Sequence, residues 1–100
     1  MKELTTADFD AATAAAPLAL VDFHAPWCGP CKSMEPALAA VDGEQASVFK
    51  VDIDANPDLA MRFGVRGVPT MLVMKAGEIV DMKVGALSQS QLRSWIASHA

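Results

Sequence analysis

Short apolar blocks, each bounded by polar, Pro or Gly residues, recur along the chain and predict strands. Four strands are predicted, at Leu18–His24, Ser47–Asp52, Thr70–Lys75 and Glu78–Val84. The last two are separated only by Ala76 and Gly77, a spacing typical of a hairpin turn. A further short strand near Lys2 to Leu4 would raise the number of strands to five.

Helical signals lie between these strands. Helices are predicted from a cap at Thr5 or Thr6 to about Ala15, from Pro30 to about Asp42, from Asn56 and Pro57 to about Phe63, and after the capping-box pair Ser88 and Gln91. The last helix carries Leu92, Trp95 and Ile96 on its apolar face, which we expect to pack in the core.

The order of these elements defines the fold class. Helices that cross over between strands imply parallel pairing in the first half of the chain, and the hairpin implies antiparallel pairing in the second half. A chain of 100 residues suffices for one domain. We therefore expect a single α/β domain over residues 1–100, with a central mixed sheet of four to five strands and helices on both faces.

Charge and targeting signals exclude several classes of function. Eight basic and twelve acidic residues give a net charge of −4, with no basic run, which argues against nucleic acid or anionic lipid as a partner. No apolar run approaches the roughly 20 residues that span a bilayer. The apolar, Ala-rich stretch Ala11–Leu20 is not expected to be the core of a secretory signal, because no basic leader precedes it and Pro17 interrupts it. We expect a cytoplasmic protein, in a compartment where thiols are kept reduced.

The two cysteines lie in one segment, Trp27-Cys28-Gly29-Pro30-Cys31-Lys32, where a strand passes into a helix. The free amides and the dipole of a helix N-terminus stabilise a thiolate at Cys28, which makes Cys28 the expected nucleophile. Cys31, one helical turn later, can reach the Cys28 sulfur. It is expected to be more buried and less ionised, which suits a resolving thiol.

Three other interpretations of the pair are weaker. A structural zinc site needs roughly four ligands, and only His24 and His99 accompany the two cysteines, so no metal is expected. A purely structural disulfide would close so small a loop that it would add little stability. A chance pairing of two cysteines is the third interpretation, and the surrounding motifs argue against it.

These motifs follow one another in a characteristic order: Val21-Asp22-Phe23, Trp27-Cys28-Gly29-Pro30-Cys31-Lys32, Pro36, Val51-Asp52-Ile53-Asp54, Asn56-Pro57, Gly64-Val65-Arg66-Gly67-Val68-Pro69-Thr70, Gly77 and Val84-Gly85-Ala86. The order resembles the thioredoxin family over nearly the whole chain. The Gly-Pro dipeptide between the cysteines resembles the reducing members of that family, whereas its oxidases and isomerases usually carry a His there.

The resemblance assigns roles to residues around the pair. Asp22 has apolar neighbours, so partial burial should raise the pKa of its carboxyl. The resemblance implies that Asp22 handles the proton of Cys31 and that Lys50, on the adjoining strand, partners Asp22. Without the resemblance, Asp22 would be a polar residue near a strand end and Lys50 a surface charge. The resemblance also implies a cis peptide bond at Pro69, beside the cysteines.

The resemblance further implies a flat apolar face for docking substrate. Its members would be Trp27, Gly29, Pro30, Gly67, Val68, Gly85 and Ala86, and an extended substrate peptide would pair with the backbone beside Pro69. We expect Trp27 to be partly exposed, in contrast to Trp95. Gly77 is interpreted as an ordinary turn residue.

One position departs from the family. Thioredoxins usually carry an aromatic side chain two residues beyond the acid, where this chain has His24. One interpretation is that His24 simply packs as a polar-tipped substitute. The other is that His24, on the same strand face as Asp22, tunes the two thiols near neutral pH.

We therefore expect a general protein-disulfide reductase. Cys28 would attack a substrate disulfide and Cys31 would resolve the mixed disulfide, with no bound cofactor. The resemblance implies recycling by an NADPH-dependent flavoenzyme, thioredoxin reductase, and nothing in the sequence demands more than a monomer. The alternatives are a thiol oxidoreductase dedicated to one partner, and a binding or scaffold subunit that uses the same face without redox chemistry.

Overall fold

The computed structural model describes residues 1–100. The elements follow the chain as β1 (Lys2–Glu3), α1 (Phe9–Ala15), β2 (Leu18–His24), α2 (Gly29–Val41), β3 (Ser47–Asp52), α3 (Pro57–Arg62), β4 (Thr70–Lys75), β5 (Glu78–Val84) and α4 (Gln89–Ala97). The four strands predicted from apolar blocks lie at their predicted boundaries, and the short N-terminal strand is present as β1.

The strands form one mixed sheet in the order β1-β3-β2-β4-β5. β3 pairs in parallel with β1 and with β2, because helices provide the crossovers between them. β2 pairs antiparallel with β4, and β4 pairs antiparallel with β5. Ala76 and Gly77 both have positive φ angles, 48° and 85°, which is the backbone of a tight hairpin turn. The predicted mixed sheet is confirmed.

Helices cover both faces of the sheet, because side chains alternate between the two faces along each strand. On one face of the sheet, strand residues pack against α2 and α4. This core cluster contains Leu18, Leu20, Val48, Met71 and Val73 of the strands, Met34, Leu38 and Val41 of α2, and Leu92, Trp95 and Ile96 of α4. The other joins Val21, Phe23, Val51 and Leu72 to Phe9 of α1 and Leu59 of α3. The predicted core position of Trp95 is confirmed. No helix has the length and apolar character needed to cross a membrane.

The start of the first helix differs from the prediction. Neither Thr5 nor Thr6 caps α1, because the Asp8 carboxylate bends back and accepts from the Thr5 amide at 2.6 Å, delaying the helix to Phe9. Asn56 precedes α3 as predicted, but its side chain does not cap that helix. Its Oδ1 accepts from the Thr6 amide at 3.1 Å, which ties the N-terminal segment to the end of β3.

The last helix begins with the predicted capping box and is tied to the edge strand. The Gln91 amide donates to Ser88 Oγ at 3.2 Å, and the Ser88 amide donates to Gln91 Oε1 at 2.9 Å. Asp81 on β5 accepts from Trp95 Nε1 at 2.7 Å and lies 2.8 Å from His99 Nε2. The hydrogen bond from Trp95, followed by that from His99, lowers the pKa of Asp81 to about 2.

Replacing the Asp81 carboxylate should give a stability loss that depends on pH. Because the folded-state pKa of Asp81 lies below its ordinary value of 3.8, its contribution is present above about pH 4 and is lost as the pH falls toward 2. Urea denaturation should therefore give a lower free energy of unfolding for Asp81→Asn than for wild type at neutral pH, and this difference should disappear in acid. Glu78→Gln, on the same strand, is the control, and a difference constant with pH would contradict this role for Asp81.

Candidate active site

The cysteine pair lies where β2 hands over to α2. Cys28 is the N-cap residue of the helix and Cys31 lies in its first turn, with their Cα atoms 5.3 Å apart. The two sulfurs form a disulfide, and the Cys31 amide donates to Cys28 Sγ at 3.2 Å. Pro30 fits this first turn because it lacks an amide hydrogen that would need a partner. The helix terminus therefore directs backbone donors at the sulfur of Cys28.

The two cysteines are buried to nearly the same extent in the disulfide form. Cys28 is 4% exposed and Cys31 is 3% exposed. Both pack with Ala25, and the half-buried side chains of Ile53 and Val68 cover the same cluster. Both sulfurs lie in one apolar cluster in the disulfide form, so the expectation that the Cys31 thiol is the more buried of the two stays a prediction. The positions of the two residues on the helix still differ.

Trp27 stands out from the surface next to the pair. It is 68% exposed, as predicted. Its Nε1 donates to Asp54 Oδ2 at 3.0 Å, and Asp54 belongs to the loop after β3. This hydrogen bond orients the exposed indole ring of Trp27, the residue next to Cys28 in the chain.

The loop before β4 lies on another side of the cysteines. The peptide bond between Val68 and Pro69 is cis, as the resemblance implied. The Gly85 amide donates to the Pro69 carbonyl at 2.9 Å, and Thr70 Oγ1 donates to the Gly67 carbonyl at 2.6 Å. These bonds bring the segment after β5 against the loop before β4. Gly85 has φ 101°, a conformation that favours glycine.

The other members of the predicted docking face are accessible. Gly29, Pro30, Gly67 and Ala86 are exposed, whereas Val68 and Gly85 are half-buried. The contacts of Val68 with the cysteines and the bond between Gly85 and Pro69 bring together residues that lie far apart in sequence.

Asp22 is fully buried on β2, on the sheet face toward α2, and is 0% exposed. Neither carboxyl oxygen has a hydrogen-bond partner. Burial raises its pKa from 3.8 to about 6, while the nearby charges of His24 and Lys50 lower it. The raised pKa predicted from its apolar neighbours is thus confirmed, and the carboxyl changes charge close to physiological pH.

Lys50 lies beside Asp22 in the sheet but binds another group. The two residues are paired across the parallel strands β2 and β3. The Lys50 ammonium forms its ion pair with Glu35 of α2, and this hydrogen bond lowers the pKa of Glu35. Lys50 therefore acts on Asp22 through its charge, without a hydrogen bond between them. The partnership with Asp22 that the resemblance implies is therefore one of charge, and the ion pair of Lys50 is made with Glu35.

His24 completes the polar side of the site. Its Nε2 lies 2.9 Å from Glu3 Oε1, an oxygen carried by the short edge strand β1. A pocket of about 260 Å³ is lined by His24, Ala25, Pro26, Cys31, Lys32, Glu35 and Lys50. The sulfur-bearing residue Cys31 and these ionisable groups thus share one opening.

Sequence reasoning missed three acidic residues of this site. Glu35 lies four residues after Cys31 on α2 and therefore shares its helix face, which was a usable signal. Asp54 follows the end of β3, where loop side chains approach the start of the next helix. Glu3 gave no signal, because its contact with His24 depends on the pairing of β1 with β3. No group of three or more His, Cys, Asp or Glu side chains is arranged to hold a metal ion.

A vicinal disulfide-forming pair at a helix N-terminus, next to a buried carboxyl, defines a thiol–disulfide oxidoreductase. A family model described as thioredoxin matches residues 1–98. The chain belongs to the thioredoxin family, whose members use a redox-active disulfide and carry no cofactor. Its activity is dithiol–disulfide reduction.

Individual relatives agree with this assignment. The chain is 43% identical over 79 residues to a thioredoxin of Rhodospirillum rubrum, covering 76% of each chain. It is 41% identical over 83 residues to a thioredoxin of Bacillus subtilis (strain 168), covering 80% of each. Solved structures are similar in fold. A mutant thioredoxin from Halobacterium salinarum NRC-1 superposes with a TM-score of 0.91 at 36% identity, over 97% of this chain and 88% of that one.

A second solved structure extends the similarity to the whole chain. The thioredoxin of Plasmodium falciparum has a TM-score of 0.91 at 33% identity and covers 100% of both chains. The predicted α/β fold, a mixed sheet with helices on both faces, is therefore that of the thioredoxins.

Asp22→Asn should change how stability depends on pH. The folded-state pKa of Asp22 is raised, so the folded protein binds this proton more tightly than the unfolded chain. The contribution of Asp22 to the free energy of unfolding is therefore fully present below about pH 4 and is lost as the pH rises through about 6. The variant lacks this loss. Its stability relative to wild type should rise by up to about 3 kcal/mol between about pH 4 and pH 7, since each pKa unit corresponds to about 1.4 kcal/mol.

Urea denaturation of the oxidised protein measures this difference, and the exposed Asp58→Asn serves as the control. The constant cost of a buried amide cancels when the two pH values are compared. If the free energy of unfolding changes with pH by the same amount in wild type and Asp22→Asn, then Asp22 ionises as freely in the folded protein as in the unfolded one, which would contradict the raised pKa.

Proposed function

We propose that this thioredoxin is a general protein-disulfide reductase in which Cys28 attacks and Cys31 resolves. The observation that carries this assignment of roles is the position of Cys28 at the N-cap of α2, where its sulfur accepts the Cys31 amide. Partial positive charge at a helix N-terminus favours the thiolate over the thiol. Cys31 lies within the helix and lines the pocket beside Lys50 and Glu35, on the side of the buried carboxyl.

The first step joins enzyme and substrate. The Cys28 thiolate attacks one sulfur of a substrate disulfide, forming a bond between the two sulfurs while the substrate's own S–S bond breaks. The second substrate sulfur leaves as a thiolate and takes a proton from water. The product of this step is a mixed disulfide on Cys28.

The second step releases the substrate. The Asp22 carboxylate accepts the proton of the Cys31 thiol, and the resulting thiolate attacks Cys28 Sγ. The mixed disulfide breaks, the substrate sulfur that was bound to Cys28 leaves as a thiolate and takes a proton, and the enzyme disulfide forms. Two electrons have then passed from the cysteine pair to the substrate. A carboxyl with a pKa of about 6 is suited to this task, because it is ionised at neutral pH yet basic enough to take a proton.

Substrate docking is assigned to the face around the pair. The Trp27 ring, held by Asp54, and the exposed backbone at Gly67 border the cysteines. An extended segment of substrate would pair with the backbone beside Pro69, as a strand adds to a sheet edge. Backbone pairing does not depend on substrate side chains, which supports use with many substrates.

Recycling requires a second protein. We assign this to a thioredoxin reductase, a flavoenzyme that passes two electrons from NADPH to the disulfide between Cys28 and Cys31. This electron carrier would work in the cytoplasm, where such reductants keep thiols reduced. A monomer is expected, because both exchange steps use residues of one chain.

Serine variants of the two cysteines should separate their roles. Reduction of insulin disulfides should fall to the uncatalysed background in Cys28→Ser, because the nucleophile is lost. Cys31→Ser should also lose turnover but should accumulate a mixed disulfide with insulin, which dithiothreitol releases. A stable mixed disulfide in Cys28→Ser instead would show that Cys31 is the attacking residue.

The same trapping variant separates general from dedicated use. On a column charged with a cell extract, Cys31→Ser should hold many different proteins through Cys28, and Cys28→Ser should hold none. Capture of one protein alone would favour a dedicated oxidoreductase. A wild-type protein that leaves insulin disulfides intact would favour a scaffold subunit with an idle pair.

A further inference from the structure

His24 lies near the buried carboxyl of Asp22, but neither of the two exchange steps described above uses it. It lies two residues after Asp22 on β2, so both side chains point to the same sheet face. Its side chain is 15% exposed, and its Nε2 lies 2.9 Å from Glu3 Oε1 and 3.5 Å from Glu3 Oε2. His24 also lines the pocket that Cys31 opens into. The imidazole is thus bound to Glu3 on the sheet face that carries Asp22, in the lining of the pocket that also contains Cys31.

The charged groups around His24 come from every neighbouring element. They are Glu3 of β1, Asp22 of β2, Lys50 and Asp52 of β3, and Lys32 and Glu35 of α2. Lys50 is bound by Glu35, and Asp52 Oδ1 accepts the amides of Asp54 and Ala55. Lys50, Glu35 and Asp52 are thus each engaged with a group other than His24. An imidazole is the side chain that ordinarily changes charge between about pH 5 and 8.

The influence of His24 on Asp22 has a definite direction. After burial, which raises the pKa of Asp22, the charge of His24 is the strongest influence and lowers it, ahead of Lys50. Glu35 and Glu3 act weakly in the other direction. An imidazolium therefore favours the ionised carboxyl, the form that can take a proton, and an uncharged side chain at position 24 would not.

We propose that His24, held by Glu3, is a positioning residue that keeps the Asp22 carboxylate ionised and so extends disulfide reduction to lower pH. The inference rests on the proposed role of Asp22 as the acceptor of the Cys31 proton. His24 touches neither sulfur nor substrate in this scheme. It acts only through the charge state of Asp22.

Replacing His24 by a neutral and by a cationic side chain tests the inference. His24→Phe restores an aromatic residue of the kind usual in the family, so we expect it to fold. The rate of insulin reduction falls as the pH is lowered, and we call this part of the pH profile the acid limb. In His24→Phe the acid limb should move up by about one pH unit, since the loss of one charge near Asp22 changes its pKa by that order. His24→Lys keeps a cation and should retain the wild-type limb.

A readout independent of activity is the titration of the Asp22 carboxyl carbon by NMR in the oxidised protein. Its midpoint should rise in His24→Phe and stay near the wild-type value in His24→Lys. An unchanged midpoint in His24→Phe, or equal shifts in both variants, would overturn the inference, because packing would then be the only role left for His24.

The profile of Asp22→Asn distinguishes failure of this inference from failure of the proposed function. If Asp22 accepts the Cys31 proton, Asp22→Asn loses the acid limb, and adding His24→Phe to it causes no further shift. If Asp22→Asn keeps the wild-type limb, the role of Asp22 in exchange is wrong. A shifted NMR midpoint in His24→Phe would then confirm the coupling of the two residues without its link to activity.

Discussion

The burial of one carboxyl without a hydrogen-bond partner is the constraint on which the site depends. Placing Asp22 in the sheet costs stability, because a buried carboxylate lacks the water that would solvate it. The protein keeps it where an apolar residue would be more stabilising. This arrangement fits the proposed role of Asp22 as a proton acceptor, because the pocket at Cys31 lies on that side of the sheet.

The fold supplies what this carboxyl requires. The parallel strands β1, β3 and β2 place Glu3, Lys50 and Asp22 in one row across the sheet, in which Lys50 lies between the two carboxyl groups. α2 begins at the end of β2 and carries the cysteines on its first turn, with Glu35 one turn later. In the proposed mechanism, the helix terminus stabilises a thiolate at Cys28, and the carboxyl in the sheet row receives the proton of Cys31.

The sequence predicts the elements of this site better than their contacts. Strand boundaries follow from apolar blocks, and the cysteine motif with its Gly-Pro pair points to the nucleophile and to the chemistry. The contacts of Glu3, Glu35 and Asp54 depend on strand register and on the directions of long side chains, which local patterns do not determine. For the same reason the sequence does not indicate the ion pair between Lys50 and Glu35. The cap predicted for α1 at Thr5 or Thr6 is wrong, because Thr5 and Asp8 form a turn before the helix begins.

The central claim, that Asp22 accepts the proton of Cys31, is tested most directly by the reaction of the reduced protein with an aromatic disulfide reagent such as dithiobis(nitrobenzoate). Attack by Cys28 releases one coloured thiolate, and resolution by Cys31 releases the second. In Asp22→Asn the second phase should slow by on the order of 100-fold and lose its rise with pH, the effect of removing a general base, while the first phase changes little. Equal second phases in wild type and Asp22→Asn across the pH range would contradict the account.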